Sequence, residues 1–173
     1  GAAAERMMSL EEVAGVAQKA LDNIRTMGVA LSPCIVPQVG EPTFQIEDDE
    51  IEIGMGIHGE KGIEVRKMMT ADEVAETLVG RITEDMPLAE GDEVSVLVNG
   101  LGATPMEEQL IVYRRVHELL NDMGVKVVMP HVGEYATSME MAGLSVTIFK
   151  LDGQLKELLL SPAKTPFYTN LNK

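Results

Sequence analysis

Apolar residues Val13, Val16, Ala17, Ala20, Leu21 and Ile24 recur at spacings of three and four, which predicts a helix over 10–26. Ser9-Leu10-Glu11-Glu12 ahead of it is a capping box, and Gly28 is expected to close it. The apolar run 29–36 predicts a strand holding Cys34, and Pro37 and Pro42 bound a loop. Ile51-Glu52-Ile53 alternates, as a strand with one wet face does. Thr70-Ala71-Asp72-Glu73 is a second capping box, opening a helix to 83. After Pro87 and Gly91, a β-branched strand is predicted over 93–98 and a long helix from Pro105, ended by Gly124. Further buried strands are expected over 125–129 and 144–149, then a short helix from Asp152 to 160 and a loop-like tail from Pro162. Helices and strands alternate without clean βαβ units throughout. The expected fold is therefore α/β, a mixed β-sheet flanked by helices.

Composition narrows the class. A length of 173 residues suits one domain or one large lobe, and the whole of 1–173 is expected to form a single unit. With 3% aromatics, no Trp and 12 Met, the core must be built from Val, Ile, Leu, Met and Ala. A formal net charge of −14 opposes binding to nucleic acid and to an anionic membrane surface. The single Cys excludes an internal disulfide framework and fits a reducing, cytoplasmic setting. No apolar run approaches the roughly 20 residues of a membrane span, and the first residues carry no signal-peptide pattern. Ala2-Ala3-Ala4-Glu5 are strong helix formers with no cap before them, as either a helix cut in two or a trimmed N-terminus would leave.

Gly54, Gly56 and Gly59 satisfy G-x-G-x-x-G after a strand. In a dinucleotide loop the third glycine opens a helix that holds pyrophosphate. Here Glu60-Lys61-Gly62 follows, with little helical continuity and a negative charge where phosphate would lie, so the dinucleotide reading fails. The glycines instead give a sharp turn with a small, open volume beside His58. A neutral imidazole just past a strand end can act as nucleophile or base, and Glu60 is placed to orient it; an inert surface-loop histidine is the plain alternative. His117 lies in the long predicted helix and reads as a solvated or capping residue rather than a ligand. His131 follows a strand and a proline, where it can line a cleft or simply pack. The three histidines have no zinc-ligand spacing. Cys34 reads as a small buried hydrophobe, and the carboxylates at 47–50 and 84–93 as solvated turns. Asn99-Gly100-Leu101-Gly102-Ala103-Thr104-Pro105 is a strand-to-helix turn in which Thr104 can cap the helix, with anion or subunit contact as the functional alternative.

Taken in order, Thr26-Met27-Gly28-Val29-Ala30-Leu31, Pro42-Thr43-Phe44, Glu52-Ile53-Gly54-Met55-Gly56-Ile57-His58-Gly59-Glu60, Val98-Asn99-Gly100-Leu101-Gly102-Ala103-Thr104-Pro105 and Gly133-Glu134-Tyr135-Ala136-Thr137-Ser138-Met139-Glu140-Met141-Ala142-Gly143 resemble the dihydroxyacetone-kinase substrate-binding subunit over almost the whole chain. The resemblance is to its C-terminal lobe, which is similar to the C-terminal domain of tubulin-like proteins. It implies that His58 is the catalytic and substrate-binding residue, attacking the ketone of dihydroxyacetone to form a hemiaminal. Lys61 stands where many relatives have proline.

The resemblance also implies that the chain holds no cofactor itself, and that ATP or ADP with Mg sits on a partner domain or nucleotide-bearing kinase subunit. A homodimer is expected of the full-length protein. In that family an N-terminal lobe supplies a second histidine and an aspartate, which this chain lacks, so the isolated chain is expected to be inactive. A cut through the helix joining the lobes would explain the uncapped start. A dihydroxyacetone-binding coactivator of a transcription regulator shares the fold and is the alternative function; a purely structural lobe with an inert His58 is the third.

Overall fold

The computed structural model describes residues 1–57 and 60–171. In chain order its elements are α1 (Ala2–Glu5), α2 (Leu10–Asp22), β1 (Ile24–Ala30), β2 (Glu50–Ile53), β3 (Glu64–Lys67), α3 (Ala71–Asp85), β4 (Glu93–Gly100), α4 (Met106–Asp122), β5 (Lys126–Gly133), β6 (Gly143–Leu151), α5 (Gly153–Leu159), β7 (Ala163–Lys164) and β8 (Thr169–Asn170). Six strands form one mixed sheet in the order β3-β2-β1-β6-β4-β5, in which only β4 and β5 run parallel. This is the helix-flanked α/β sheet that the alternating pattern predicts.

Both capping boxes form. The Ser9 amide donates to Glu12 at 2.7 Å and the Glu12 amide to Ser9 Oγ at 3.3 Å; Thr70 and Glu73 repeat the arrangement at 2.8 and 3.3 Å. Asp152 caps α5 through the Leu155 amide at 2.8 Å. The other end of α2 departs from expectation. The helix stops at Asn23, and Gly28 lies inside a strand rather than after a helix. The cause is long-range: β1 pairs with β6 residue by residue from Ile24↔Phe149 to Ala30↔Gly143, an antiparallel ladder that helical spacing cannot reveal. Segment 31–36 is consequently loop, where only Ile35 makes a bridge, to Pro42. Cys34 is buried, though not in a strand. The tail is also more ordered than expected, since β7 and β8 pair as a hairpin.

The two faces of the sheet differ in chemistry. Val29, Ile51, Ile53, Val94, Val96, Val98, Val146 and Ile148 point to one side, where Val74, Leu78, Val79 and Ile82 of α3 and Val112, Val116 and Leu120 of α4 seal a dry core. Each such aliphatic side chain contributes about 1.5–3 kcal/mol on burial. Ion pairs of Arg115 with Glu76 (2.6 Å) and of Arg114 with Asp72 tie the two helices together at the surface. The opposite face carries Thr26, Thr147 and Leu97 in one row, and the shorter Gly28, Ser145 and Asn99 in the next. Helix α2 lies over this face without burying a single residue fully. Its Val13, Val16, Ala17 and Ala20 share a groove of about 940 Å³ with Leu97 and Phe149. The candidate site occupies the same small-residue face.

Candidate active site

Strand β2 leads directly into the glycine-rich turn. Gly54 has φ +82°, a conformation that glycine adopts without the Cβ clash of other residues, and its amide donates to the Gly28 carbonyl at 2.7 Å. The chain is thereby turned onto β1. Met55 then buries its side chain among Ala30, Cys34, Leu101 and Met141, a second small cluster joined by Phe44 and Ile57. Thr26, Met27, Gly28, Gly54, Met55, Gly56, Ile57, Leu101 and Ser145 line a pocket of about 370 Å³ beside the turn. Its floor is small because Gly28 and Ser145 oppose one another across β1 and β6.

The exit of the turn is held as firmly as its entry. The Gly56 amide meets the Glu60 carbonyl at 3.3 Å, and Ile63 donates to the Ile53 carbonyl at 2.8 Å. Gly62 donates its amide to Glu52 Oε1 at 2.7 Å. Glu52 is the residue that pattern reading placed on a wet face, yet only 4% of it is exposed. The turn itself covers it. Alternation predicts which side of the pleat a residue faces, but not that a later segment will fold back over that side. Close spacing of Gly54, Gly56, Gly59 and Gly62 was the one signal of such a fold-back. His58, the predicted catalytic residue, and Gly59 lie outside the described residues. Glu60 is exposed at the rim of the turn.

The remaining candidates are placed elsewhere. His131 on edge strand β5 is half-buried, with Nε2 at 3.0 Å from the Tyr168 hydroxyl and its ring edge-on to Tyr135 at 5.8 Å. Burial pushes its pKa below the usual histidine value. It lines the larger groove and also packs on Tyr135 and Tyr168, so the two alternatives open to it are not exclusive. His117 is exposed, beside Tyr113. Cys34 lies at 3.6 Å from both Thr43 Oγ1 and Ser138 Oγ. The turn at 99–105 spends its polar groups internally. Asn99 accepts the Tyr135 and Ala136 amides at 2.8 and 2.9 Å and donates to the Ala136 carbonyl at 2.7 Å. Thr104 does not cap α4; Pro105 holds that position, and Thr104 Oγ1 accepts the Gly143 amide at 2.8 Å. Among the described residues, no group of three His, Cys, Asp or Glu is placed to hold a metal, and no helix is long and apolar enough to cross a membrane.

Known proteins share both the sequence and this architecture. The dihydroxyacetone-binding subunit DhaK of PTS-dependent dihydroxyacetone kinase 1 from Listeria innocua is 51% identical over 166 residues, 95% of this chain and 50% of that protein. The chain thus spans about half the length of that relative. Among solved structures, the dihydroxyacetone kinase of C. freundii in complex with AMP-PNP and Mg²⁺ superposes with a TM-score of 0.84 at 29% identity, over 97% of this chain and 31% of that one. The dihydroxyacetone kinase operon co-activator Dha-DhaQ superposes with a TM-score of 0.82 at 31% identity, over 90% of this chain and 48% of that one. The family model described as the Dak1 domain matches residues 1–167, and with that match across nearly its whole length the chain belongs to the Dak1 domain family.

Proposed function

We propose that this chain is the ketone-capturing lobe of a dihydroxyacetone kinase, with His58 as the residue that binds the substrate covalently. The observation that carries the reading is the run Gly54-Met55-Gly56-Ile57-His58-Gly59-Glu60, whose first four residues line the pocket on the small-residue face of the sheet, in a chain 51% identical to a dihydroxyacetone-binding subunit. In the proposed step the imidazole lone pair attacks the ketone carbon and the C=O π pair moves onto oxygen. The proton on the other ring nitrogen is lost as the alkoxide gains one, which leaves a neutral hemiaminal. Glycerol has no carbonyl to trap, so capture selects ketone over alcohol by chemistry rather than by hydrogen bonding alone. Glu60 is suited to orient the ring.

The phosphoryl donor belongs, in this reading, to a nucleotide with Mg on another domain or subunit, in line with the AMP-PNP and Mg²⁺ of the C. freundii complex. Most of the rate enhancement then comes from positioning and electrostatic stabilisation. The second histidine and the aspartate of the acid–base machinery are assigned to an N-terminal lobe, so the 173-residue chain alone is expected to show no phosphoryl transfer. Assembly as a homodimer and a cytoplasmic location belong to the same proposal.

Dihydroxyacetone labelled with ¹³C at the carbonyl tests the central step. With wild-type protein the carbonyl resonance is expected to move to the tetrahedral-carbon region, and with His58→Ala to stay in the ketone region. A tetrahedral signal that survives in His58→Ala, or wild-type protein that binds ketone with no such signal, would sink the covalent role. A second reading rests on the structural likeness to Dha-DhaQ, that of a dihydroxyacetone-binding coactivator. Phosphorylation of dihydroxyacetone once the missing lobe and a nucleotide-bearing partner are supplied separates the kinase from the coactivator, which would capture the ketone without turnover.

A further inference from the structure

We infer that Glu52 is a positioning residue of the candidate site: its buried carboxylate clamps the exit of the glycine-rich turn by holding the Gly62 amide. The clamp stands on geometry in the described residues; its consequence for capture rests on the reading proposed for His58. Glu52 lies between Ile51 and Ile53, both fully buried, and is itself only 4% exposed. It shares a row with Ala30, on the face of the sheet away from the α3–α4 core. An apolar side chain would fill this place without the desolvation that burial imposes on a carboxylate. What a carboxylate adds is an acceptor, and Oε1 is placed 2.7 Å from the Gly62 amide.

The approach at Gly62 is tight enough to define its position. A Cβ there would stand 2.5 Å from the Ile53 carbonyl oxygen and 2.7 Å from Glu52 Cγ, so any side chain at 62 drives the strap off the carboxylate. On the entry side the turn hangs from the Gly28 carbonyl through the Gly54 amide at 2.7 Å. On the exit side the Glu52–Gly62 bond precedes the first ladder bond, from Ile63 to Ile53 at 2.8 Å. Gly54 and Gly62 are therefore both pinned, and Glu52 supplies a side-chain pin at the second. Nucleophilic addition is sensitive to placement, since an error of about 1 Å can cost on the order of 100-fold. Loss of the clamp is expected to weaken capture while leaving the fold in place.

The test combines amide hydrogen exchange with the ¹³C-carbonyl measurement on wild-type, Glu52→Ala, Glu52→Gln and Gly62→Ala proteins. Glu52→Ala is expected to lose protection at Gly62 and through 54–63, keep it in β4 and β6, and need about ten- to a hundred-fold more dihydroxyacetone for the same tetrahedral signal. Glu52→Gln keeps an acceptor oxygen and should recover most of both. Gly62→Ala keeps the carboxylate but displaces the strap, and should behave as Glu52→Ala does. Three results overturn the assignment: capture by Glu52→Ala equal to wild type, failure of Glu52→Gln to recover it, or loss of protection spread over β4 and β6 in both Glu52→Ala and Gly62→Ala. Absence of any tetrahedral signal in wild type defeats the His58 reading instead, and the clamp is then decided by exchange at 54–63 alone.

Discussion

His131 shows how a single side chain can carry a pH dependence unconnected with the candidate chemistry. Burial lowers its folded-state pKa below the usual histidine value. In the unfolded chain it titrates near 6.5, so the unfolded state takes up a proton that the folded state resists. Its contribution to stability is complete above about pH 6.5 and declines as the pH falls below that value. Melting temperature measured from pH 8 to 5 should drop in this window more for wild type than for His131→Phe, which keeps the ring packing against Tyr135 and Tyr168 but cannot protonate. Equal slopes would show that the burial has no thermodynamic effect. The residue scale is also where sequence reading was least secure. Glu52 looked like the wet position of an alternating strand, and its burial comes from a segment that returns over it ten residues later. The turn at 99–105 was open to contact with an anion or a subunit, with Thr104 as a helix cap, and its side chains instead tie the end of β4 to the segment after β5 and the start of β6.

At the scale of elements, local signals worked where the determining contacts are themselves local. The capping box at Thr70 satisfies amides within four residues of one another, and α3 begins where it predicts. Thr70→Ala is expected to cost about 1 kcal/mol, because α3 supplies five buried residues to the core and its fraying is felt there. That corresponds to a fall of roughly 2–4 °C in melting temperature for a domain of this size, measurable by calorimetry. Thr70→Ser, which keeps the hydroxyl acceptor, should recover most of it. The carboxyl of Glu73 is held below its ordinary range by the Thr70 amide and hydroxyl, so this cap is present above the unfolded carboxyl pKa and weakens as pH falls through the lower folded one. The end of α2 was not legible in the same way. Ile24 continues the helical spacing of Val13, Val16, Ala17, Ala20 and Leu21, but it is already the first residue of β1. Nothing within a helical turn of Asn23 reports that Phe149 waits to pair with Ile24.

For the molecule as a whole, stability is concentrated on one side of the sheet. Leu78 is fully buried between α3 and the strands, and Leu78→Ala is expected to destabilise by about 2–5 kcal/mol in a denaturant titration. A cost under about 1 kcal/mol would mean that the α3 side is not the principal core. Caps, helical periodicity and the ordered run of family motifs were enough to determine the α/β class, most helices and the membership in the Dak1 domain family, because each depends on neighbours in sequence or on the motifs themselves. Tertiary structure alone decided where β1 begins, that β3 exists, that the tail forms a hairpin, and that Glu52 is sealed beneath the glycine-rich turn. Those outcomes depend on partners brought together by the fold, such as Ile24 with Phe149 and Glu52 with Gly62. The hydrophobic pattern of a strand names its faces, and only the packed molecule determines what comes to cover them.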